Sequence, residues 1–434
     1  MNGSRGLLAG LMRARVAILV IAVIAALLVL DGRHLVFLLG VVIFVVALVI
    51  SVMLHELGHF LTAKKFHMRV TQFFLGFGTT LWSFFRGETE YGVKALPFGG
   101  FVKISGMTSM EEIDVADEPR SFRKQPGWQR IIVLAAGSFM HFVLALFLFF
   151  ALAVAVGQET STNTVSGLAS CVPVSNAALN STTNPCKGAS QAKTPAEVAG
   201  VKTNDTIISI DGHSIANWDQ LRTVLKSQPA HVKLPMVVRR DGRDVHLEVT
   251  LASIRGDSVP YIGVESAVAY QRQNPFSAIA FSGTQFADTI TSSVQALGKL
   301  PAAIPDLFSK NRASTPAGQV SSVVGVGAVT GDVVEAAIPW QAKVWLVVYL
   351  VASLNIFVGL FNLLPLLPLD GGHLAVVIYE RIRAWFARIL GRPDPGLVDI
   401  QKLVPVSLLV FAVLVGVGTL LIAADIFNPV HLQV

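Results

Sequence analysis

Charge is scarce in this chain: Asp, Glu, Lys and Arg make up 14% of its 434 residues, against 53% hydrophobic and a mean hydropathy of +0.60. So little charge excludes an ordinary soluble protein and places the chain among multi-pass membrane proteins. Cysteine is limited to Cys171 and Cys186, both in one polar segment. If that segment is extracytoplasmic, the pair reads as a disulfide worth about 3 kcal/mol in the chain-entropy account. Free thiols are the alternative, because spacing alone does not settle pairing. No internal repeat is visible, and no small-residue cleavage site follows the first apolar run, Val16 to Leu30. That run therefore reads as a retained anchor, although fifteen residues fall short of the roughly 20 that cross comfortably. The net charge of +6 does not point to nucleic acid, since Lys and Arg gather beside apolar runs, where topology and anionic lipid explain them.

What is present is organised around Leu54-His55-Glu56-Leu57-Gly58-His59, an HExxH pattern inside the apolar run Val36 to Ala63. At about 100° per residue, His55 and His59 fall about 40° apart on a helix with Glu56 in the same arc. Two imidazoles one turn apart beside a carboxylate form most of a hydrolytic zinc site. An ionisable group in a spanning helix costs at least about 2.5 kcal/mol unless a cavity, partner or metal receives it. Coincidence is therefore the weaker explanation.

Further spans are expected at Ile131 to Val156, Val344 to Leu364 and Leu403 to Ala424. Arg5, Arg13 and Arg15 before the first run, and Lys64-Lys65 after the second, place the N-terminus and the HExxH end on the cytoplasmic side. Between the second and third spans, Glu90 to Leu96 and Gly100 to Ser105 alternate as half-buried strands do, with Pro97-Phe98-Gly99 as the turn signal of a hairpin. Its edge could pair with an extended peptide or be purely structural. His141, alone in the third span, reads as a partnered interior residue rather than a ligand.

Residues 157 to 342 form an insertion. Ala196 to Gly212 reads as helix, turn, strand, turn; Trp218 to Leu225 as helix; Val232 to Val249 as a hairpin turned at Asp241-Gly242. Phe276 to Leu300 is amphipathic and expected along the bilayer surface, and the Gly- and Ser-rich Pro316 to Asp332 reads as a loop. In the fourth span Asn355 and Asn362 share a helix face, and buried amides in lipid need partners or a cavity. Then Asn362-Leu363-Leu364-Pro365-Leu366-Leu367-Pro368-Leu369-Asp370-Gly371-Gly372 breaks the helix, and irregular backbone at membrane depth is tolerated only where protein or a cavity surrounds it. Asp370 on that break is the candidate third zinc ligand. Arg381, Arg383, Arg388 and Arg392 make the following segment basic and amphipathic, as a cytoplasmic face requires.

These residues resemble the site-2 proteases, intramembrane zinc metalloproteases of peptidase family M50. The resemblance rests on His55 to His59, Phe74-Leu75-Gly76-Phe77-Gly78, Leu96 to Val102 and Asn362 to Gly372. It implies that His55, His59 and Asp370 bind Zn2+, that Glu56 is the catalytic acid/base, and that Asn362 holds substrate. The segment from about Val165 to Leu251 is similar to the PDZ domain that many bacterial members carry. The implied fold is a polytopic α-helical membrane protein with an inserted extracytoplasmic PDZ-like α+β domain and a small cytoplasmic β-hairpin region. Its expected parts are residues 1–34, an extra membrane helix; 35–157, the first part of the core; 158–260, the PDZ-like domain; 261–342, an amphipathic helix and linker; and 343–434, the second part of the core.

The implied substrates are single-pass membrane proteins, anti-sigma factors or signal-peptide remnants among them, cut after an upstream site-1 type protease. The other partner is the lipid bilayer. The family usually shows Gly-Pro-x-x-Asn where this chain has Gly137-Ser138-Phe139-Met140-His141. A non-catalytic PDZ-containing adaptor with a structural metal site is the competing reading; Glu56 argues against it, because a structural zinc prefers four closed ligands and needs no neighbouring carboxylate. A zinc transporter is the third, weakened by the missing repeat.

Overall fold

The computed structural model describes residues 32–107, 113–173, 186, 193–254, 260–310, 312, 315 and 320–430. The expected first span, Val16 to Leu30, lies outside them. The chain divides into two units, Met1–Val154 with Asn274–Val434, and Ala155–Gln273.

Among the described residues of the first unit four helices are long and apolar enough to cross a membrane: α1 (Gly32–Lys65), α2 (Gly127–Ala155), α7 (Trp340–Asn362) and α9 (Val404–Phe427). They fall on the expected second to fifth runs. Small residues set their spacing. A Cβ at Gly58 of α1 would lie 2.4 Å from the Ala136 carbonyl oxygen of α2, so these two backbones touch. Phe149 and Ala145 of α2 pack on Ala352 and Ile356 of α7. Helix α5 (Pro275–Ala303) starts at an Asn274 cap, whose side chain accepts from the Ser277 N–H at 3.0 Å. Its middle does not rest on lipid as expected: Phe286 and Ile290 join the α2–α7 cluster.

The segment expected as a loop contains a helix, α6 (Val323–Glu335), capped by the Ser322 hydroxyl. Its glycines are contact points rather than hinges. Gly331 faces the Phe37 ring and Gly327 the Phe44 ring, and a Cβ at Gly40 of α1 would meet the Thr330 carbonyl at 2.7 Å. Beyond the cap, Asp425 of α9 accepts from the Ser322 N–H at 2.6 Å and pairs with Arg312 at 2.6 Å, both side chains 2% exposed.

The predicted hairpin is corrected. Strands β1 (Val70–Arg86) and β2 (Thr89–Ile104) turn at Gly87-Glu88, and Pro97-Phe98-Gly99 lies within β2. The two predicted strands do not pair with each other. Phe73 is partnered by Val102 on one side and by Tyr91 on the other, so Val70 to Leu75 lies between them, while Trp82 to Arg86 pairs with Thr89 to Val93. Positive φ at Gly76 and Gly78, 85° and 87°, lets β1 bend so that its two halves flank the same stretch of β2, Glu90 to Val93, while its first half also pairs with Gly100 to Ile104. Glu88 at the turn binds Lys64 at the end of α1 and, through two hydrogen bonds, Arg120. The Arg120 guanidinium, foremost, holds the Glu88 carboxyl down at about 2.

The second unit is a six-stranded antiparallel sheet ordered β10-β3-β4-β6-β7 with β5 on β4. The strands are β3 (Gln158–Leu168), β4 (Thr206–Ile210), β5 (His213–Ser214), β6 (Lys233–Arg240), β7 (Arg243–Thr250) and β10 (Val264–Gln271); β8 (Ala252–Ser253) pairs separately with β9 (Pro260–Tyr261). Because β10 pairs with β3, this unit runs beyond the expected residue 260 to Gln273. Helices α3 (Pro195–Ala199) and α4 (Trp218–Ser227) cover a core that includes Val165, Ile207, Leu221, Met236 and Val249. The α4 start is reciprocally capped: the Asn217 side chain accepts from the Gln220 N–H, and the Gln220 side chain from the Ala216 N–H. Asn204, in the turn before β4, takes a positive φ, 71°. Cys171 and Cys186 are joined as a disulfide, their Cα atoms 5.8 Å apart.

Candidate metal centre

The helical period of α1 puts His55 and His59 on one buried face, 8% and 5% exposed, and their Nε2 atoms lie 3.2 Å apart. Asp370 reaches them from the broken segment after α7, as the first residue of α8 (Asp370–Ile389). That loop is satisfied by its own backbone: the Leu366 N–H donates to Leu364 O at 2.7 Å and the Leu369 N–H to Leu366 O at 2.8 Å. Gly371 and Gly372 let it fold onto the helix start, where a Cβ at Gly371 would sit 2.3 Å from Leu364 O. The Leu367–Pro368 bond is cis. At the first turn of α8, the Asp370 carboxylate also faces the positive end of the helix dipole.

The three donor atoms form a nearly equilateral triangle. Asp370 Oδ2 is 3.2 Å from His55 Nε2 and 3.3 Å from His59 Nε2. A tetrahedral zinc ion with bonds of about 2.0–2.1 Å requires ligands about 3.3–3.4 Å apart, so the triangle fits it. The donor chemistry agrees. His59 Nδ1–H donates to the Val133 carbonyl at 2.7 Å, which leaves its Nε2 lone pair pointing into the triangle, toward another imidazole nitrogen and a carboxylate. Converging lone pairs call for a cation. Three protein donors leave a position free, unlike the closed set of four that the adaptor reading would prefer. Among the described residues this is the group found able to hold a metal in this way.

Glu56, the next residue after His55, is half-buried and outside the triangle. Strand β2 approaches it at Gly100, where a Cβ would come 3.4 Å from Glu56 Cγ. The far end of β2 therefore lies along α1 at the Glu56 carboxylate. Asn362 is the last residue of α7, half-buried, with no side-chain hydrogen bond among the described residues. The structure thus brings His55, His59 and Asp370 together, and places Asn362 at the mouth of the Asp370 loop.

Three features surround the triangle, of which Gly137 and the Val133 carbonyl were not legible in the sequence. Gly137 is the back wall of the triangle: a Cβ there would lie 2.3 Å from His59 Nε2 and 2.7 Å from His55 Nε2. His141 is indeed partnered, its Nδ1 2.7 Å from Asn355 Oδ1, while the Asn355 amide donates to Ser51 Oγ at 3.0 Å, which ties α2, α7 and α1 together beside His55 and His59. The ring of His141 is 5.0 Å from that of His55. The third feature is the Val133 carbonyl itself. Val133, Gly137 and His141 follow one another at four-residue steps, and that shared helix face was the signal available.

Residues 43–389 match the profile of peptidase family M50. The zinc metalloprotease Rip1 of Mycobacterium tuberculosis is 35% identical over 419 residues, covering 91% of this chain and 99% of its own length. Metalloprotease MmpA of Caulobacter vibrioides is 30% identical over 376 residues, 78% of this chain and 85% of its own. The regulator of sigma-W protease RasP of Bacillus subtilis is 25% identical over 419 residues, 79% and 90%. With a triangle of donors sized for zinc inside a bundle of spanning helices, and relatives of this similarity along nearly the whole length, the chain belongs to peptidase family M50 and is an intramembrane zinc metalloprotease of the site-2 type.

Proposed function

We propose that His55, His59 and Asp370 hold the zinc ion and that Glu56 is the acid/base of peptide hydrolysis within or beside the transmembrane segments of single-pass membrane proteins. The observation that carries this reading is the donor triangle, with a carboxylate on the adjoining residue of the same helix. Zinc, when bound there, supplies Lewis acidity to the attacking water and the scissile carbonyl. Glu56 takes the water's proton and passes it to the leaving amide nitrogen, so its position against β2 orients it for both transfers. Asn362, at the mouth of the Asp370 loop, donates to a substrate carbonyl and holds the unwound segment near the site.

An apolar groove of about 350 Å³, lined by Pro365, Leu366, Val376, Tyr379, Val406 and Val410, adjoins the loop that carries Asp370 and suits the approach of an apolar segment. The exposed edge of the β1–β2 sheet is the place for an extended stretch to pair. The basic residues after α1 and in α8 favour a cytoplasmic catalytic side. The second unit is then extracytoplasmic and PDZ-like, with its disulfide in an oxidising space and β10 at the sheet edge where a peptide C-terminus adds as a strand. In this arrangement it inspects substrates trimmed by a site-1 type protease. RasP, by its name a regulator of sigma-W, favours anti-sigma factors among the substrates of this chain.

The test is cleavage of a membrane-embedded, single-pass substrate by wild type and Glu56→Gln, with zinc measured in both. Cleavage should vanish while zinc stays. A Glu56→Gln protein that still cuts would remove Glu56 from the mechanism.

A further inference from the structure

We infer that the distal half of α8 is an interfacial anchor that binds anionic phospholipid, seating the helix whose first residue is Asp370 at the headgroup boundary of the bilayer. Two contacts fix how α8 is rotated. Val377, 2% exposed, packs in a cluster with Ala63, Met68, Val133 and Leu134. Glu380 is bound by Arg130 of α2 at 2.8 Å and accepts from the Val398 N–H at 2.8 Å. With that face held against protein, the helical period turns Ile378, Tyr379, Ile382, Trp385, Phe386 and Ile389 the other way, into one arc of about 120°. All six are exposed, from 41% at Ile378 to 61% at Ile389.

Arginines border this apolar arc. Arg381 and Arg388 lie along one flank, Arg392 follows the helix end, and none of the three has a side-chain partner among the described residues. Arg381 is exposed, its stem lying over the bare Gly127 at the start of α2, where a Cβ would come 2.5 Å from Arg381 Cδ. Arg383, on the opposite flank, is already engaged: it donates to the Pro395 and Gly396 carbonyls and lies over the Tyr379 ring. The acids of the following loop do not neutralise the flank, because Asp394 and Asp399 cap backbone N–H groups of Gly396 and Gln401.

The occupant follows from chemistry and from the path of the chain. Tyr and Trp beside aliphatic residues, bordered by guanidinium groups, match the acyl–headgroup boundary, and guanidinium binds phosphate oxygens in pairs. The chain enters α8 from one spanning helix, α7, and leaves it for another, α9, so this apolar face continues the bilayer surface those helices already meet. A peptide partner has no such continuity. The inference rests on the membrane reading but not on which leaflet is involved.

The full-length protein, in vesicles of mixed phosphatidylcholine and phosphatidylglycerol, is purified with its retained lipid and the two lipids are counted by mass spectrometry. Wild type should retain phosphatidylglycerol in excess. The Arg381→Gln/Arg388→Gln/Arg392→Gln variant should lose that excess by roughly five-fold per arginine. Equal retention of both lipids by wild type would overturn the proposal. As a second measurement, the emission of Trp385, taken as the difference between wild type and Trp385→Phe, should be quenched by acyl-brominated phosphatidylglycerol and not by iodide. Quenching by iodide alone would show a face in water. Protection from both quenchers, together with a crosslinked dimer, would show a second copy covering it; either result overturns the proposal.

Discussion

Glycine does opposite work in the membrane helices and in the tight turns of the sheet unit. In the membrane unit Gly137 and Gly331 sit in ordinary helical backbone and are small because of what lies against them, two ligand imidazoles in one case and the Phe37 ring in the other. In the second unit Gly242 has a φ of 78° and nothing within 4 Å of its missing Cβ. One kind of glycine answers to neighbours distant in the sequence, the other to its own torsion angles. Lipid gives helices no hydrophobic reason to associate, so close backbone contact between small residues carries their packing, whereas the sheet unit associates through buried aliphatic side chains and uses glycine to turn.

The largest effect that would break this contrast is at Gly137. Gly137→Ala should lose zinc and reduce cleavage on the order of a hundredfold or more, since about 1 Å of displacement at a catalytic centre costs that much. Metal analysis beside the cleavage assay decides it, and an alanine variant with full zinc content would show that the back wall can yield. Next comes Gly331→Leu, which should destabilise the α1–α6 contact by about 1–3 kcal/mol through overpacking, read as a lower unfolding midpoint in detergent. Gly242→Ala should cost about 1–2 kcal/mol, because alanine resists a left-handed torsion although there is room for it. Hydrogen exchange should show that loss in the second unit alone, with zinc content and cleavage unchanged.

The smallest effect concerns pH. Burial raises the Asp205 carboxyl, but its ion pair with Arg240 at 2.7 Å and the Lys202 N–H outweigh that, so its value falls below the ordinary 3.8. A carboxylate depressed in the folded state contributes stability that is fully present above 3.8 and is lost as pH falls through its lower folded value. Exchange protection around β4 should therefore hold down to that range and fall below it, and Asp205→Asn should flatten the acid limb while weakening the unit at neutral pH.

The same contrast explains what the sequence disclosed. The Asp241-Gly242 turn and the helix at Trp218 follow from local preferences, and both are found. His55, Glu56 and His59 were legible because the helical period alone gathers them, and Asp370 because prolines and glycines interrupt a span at its position. Gly137 carried no such mark, since an absent side chain has no chemistry to recognise. Within the stretch Pro316 to Asp332, expected as a loop, the residues from Val323 on are helical, because glycine and serine serve a packed membrane helix and a loop equally well. The β1–β2 sheet was half-read: the alternation of its strands is local, but the insertion of Val70 to Leu75 between two of them is a matter of non-local pairing.

The bare face at Gly58, Ala136 and Gly137 has a consequence for anyone surveying this enzyme by saturating substitution. Positions with no functional group will score among the most intolerant, beside the ligands themselves, because the α1–α2 seam and the seat of the metal are one surface. A map of intolerance would then trace the shape of an empty space, and small-molecule design against this centre has that same concavity, closed on the α2 side by a single hydrogen, as its mould.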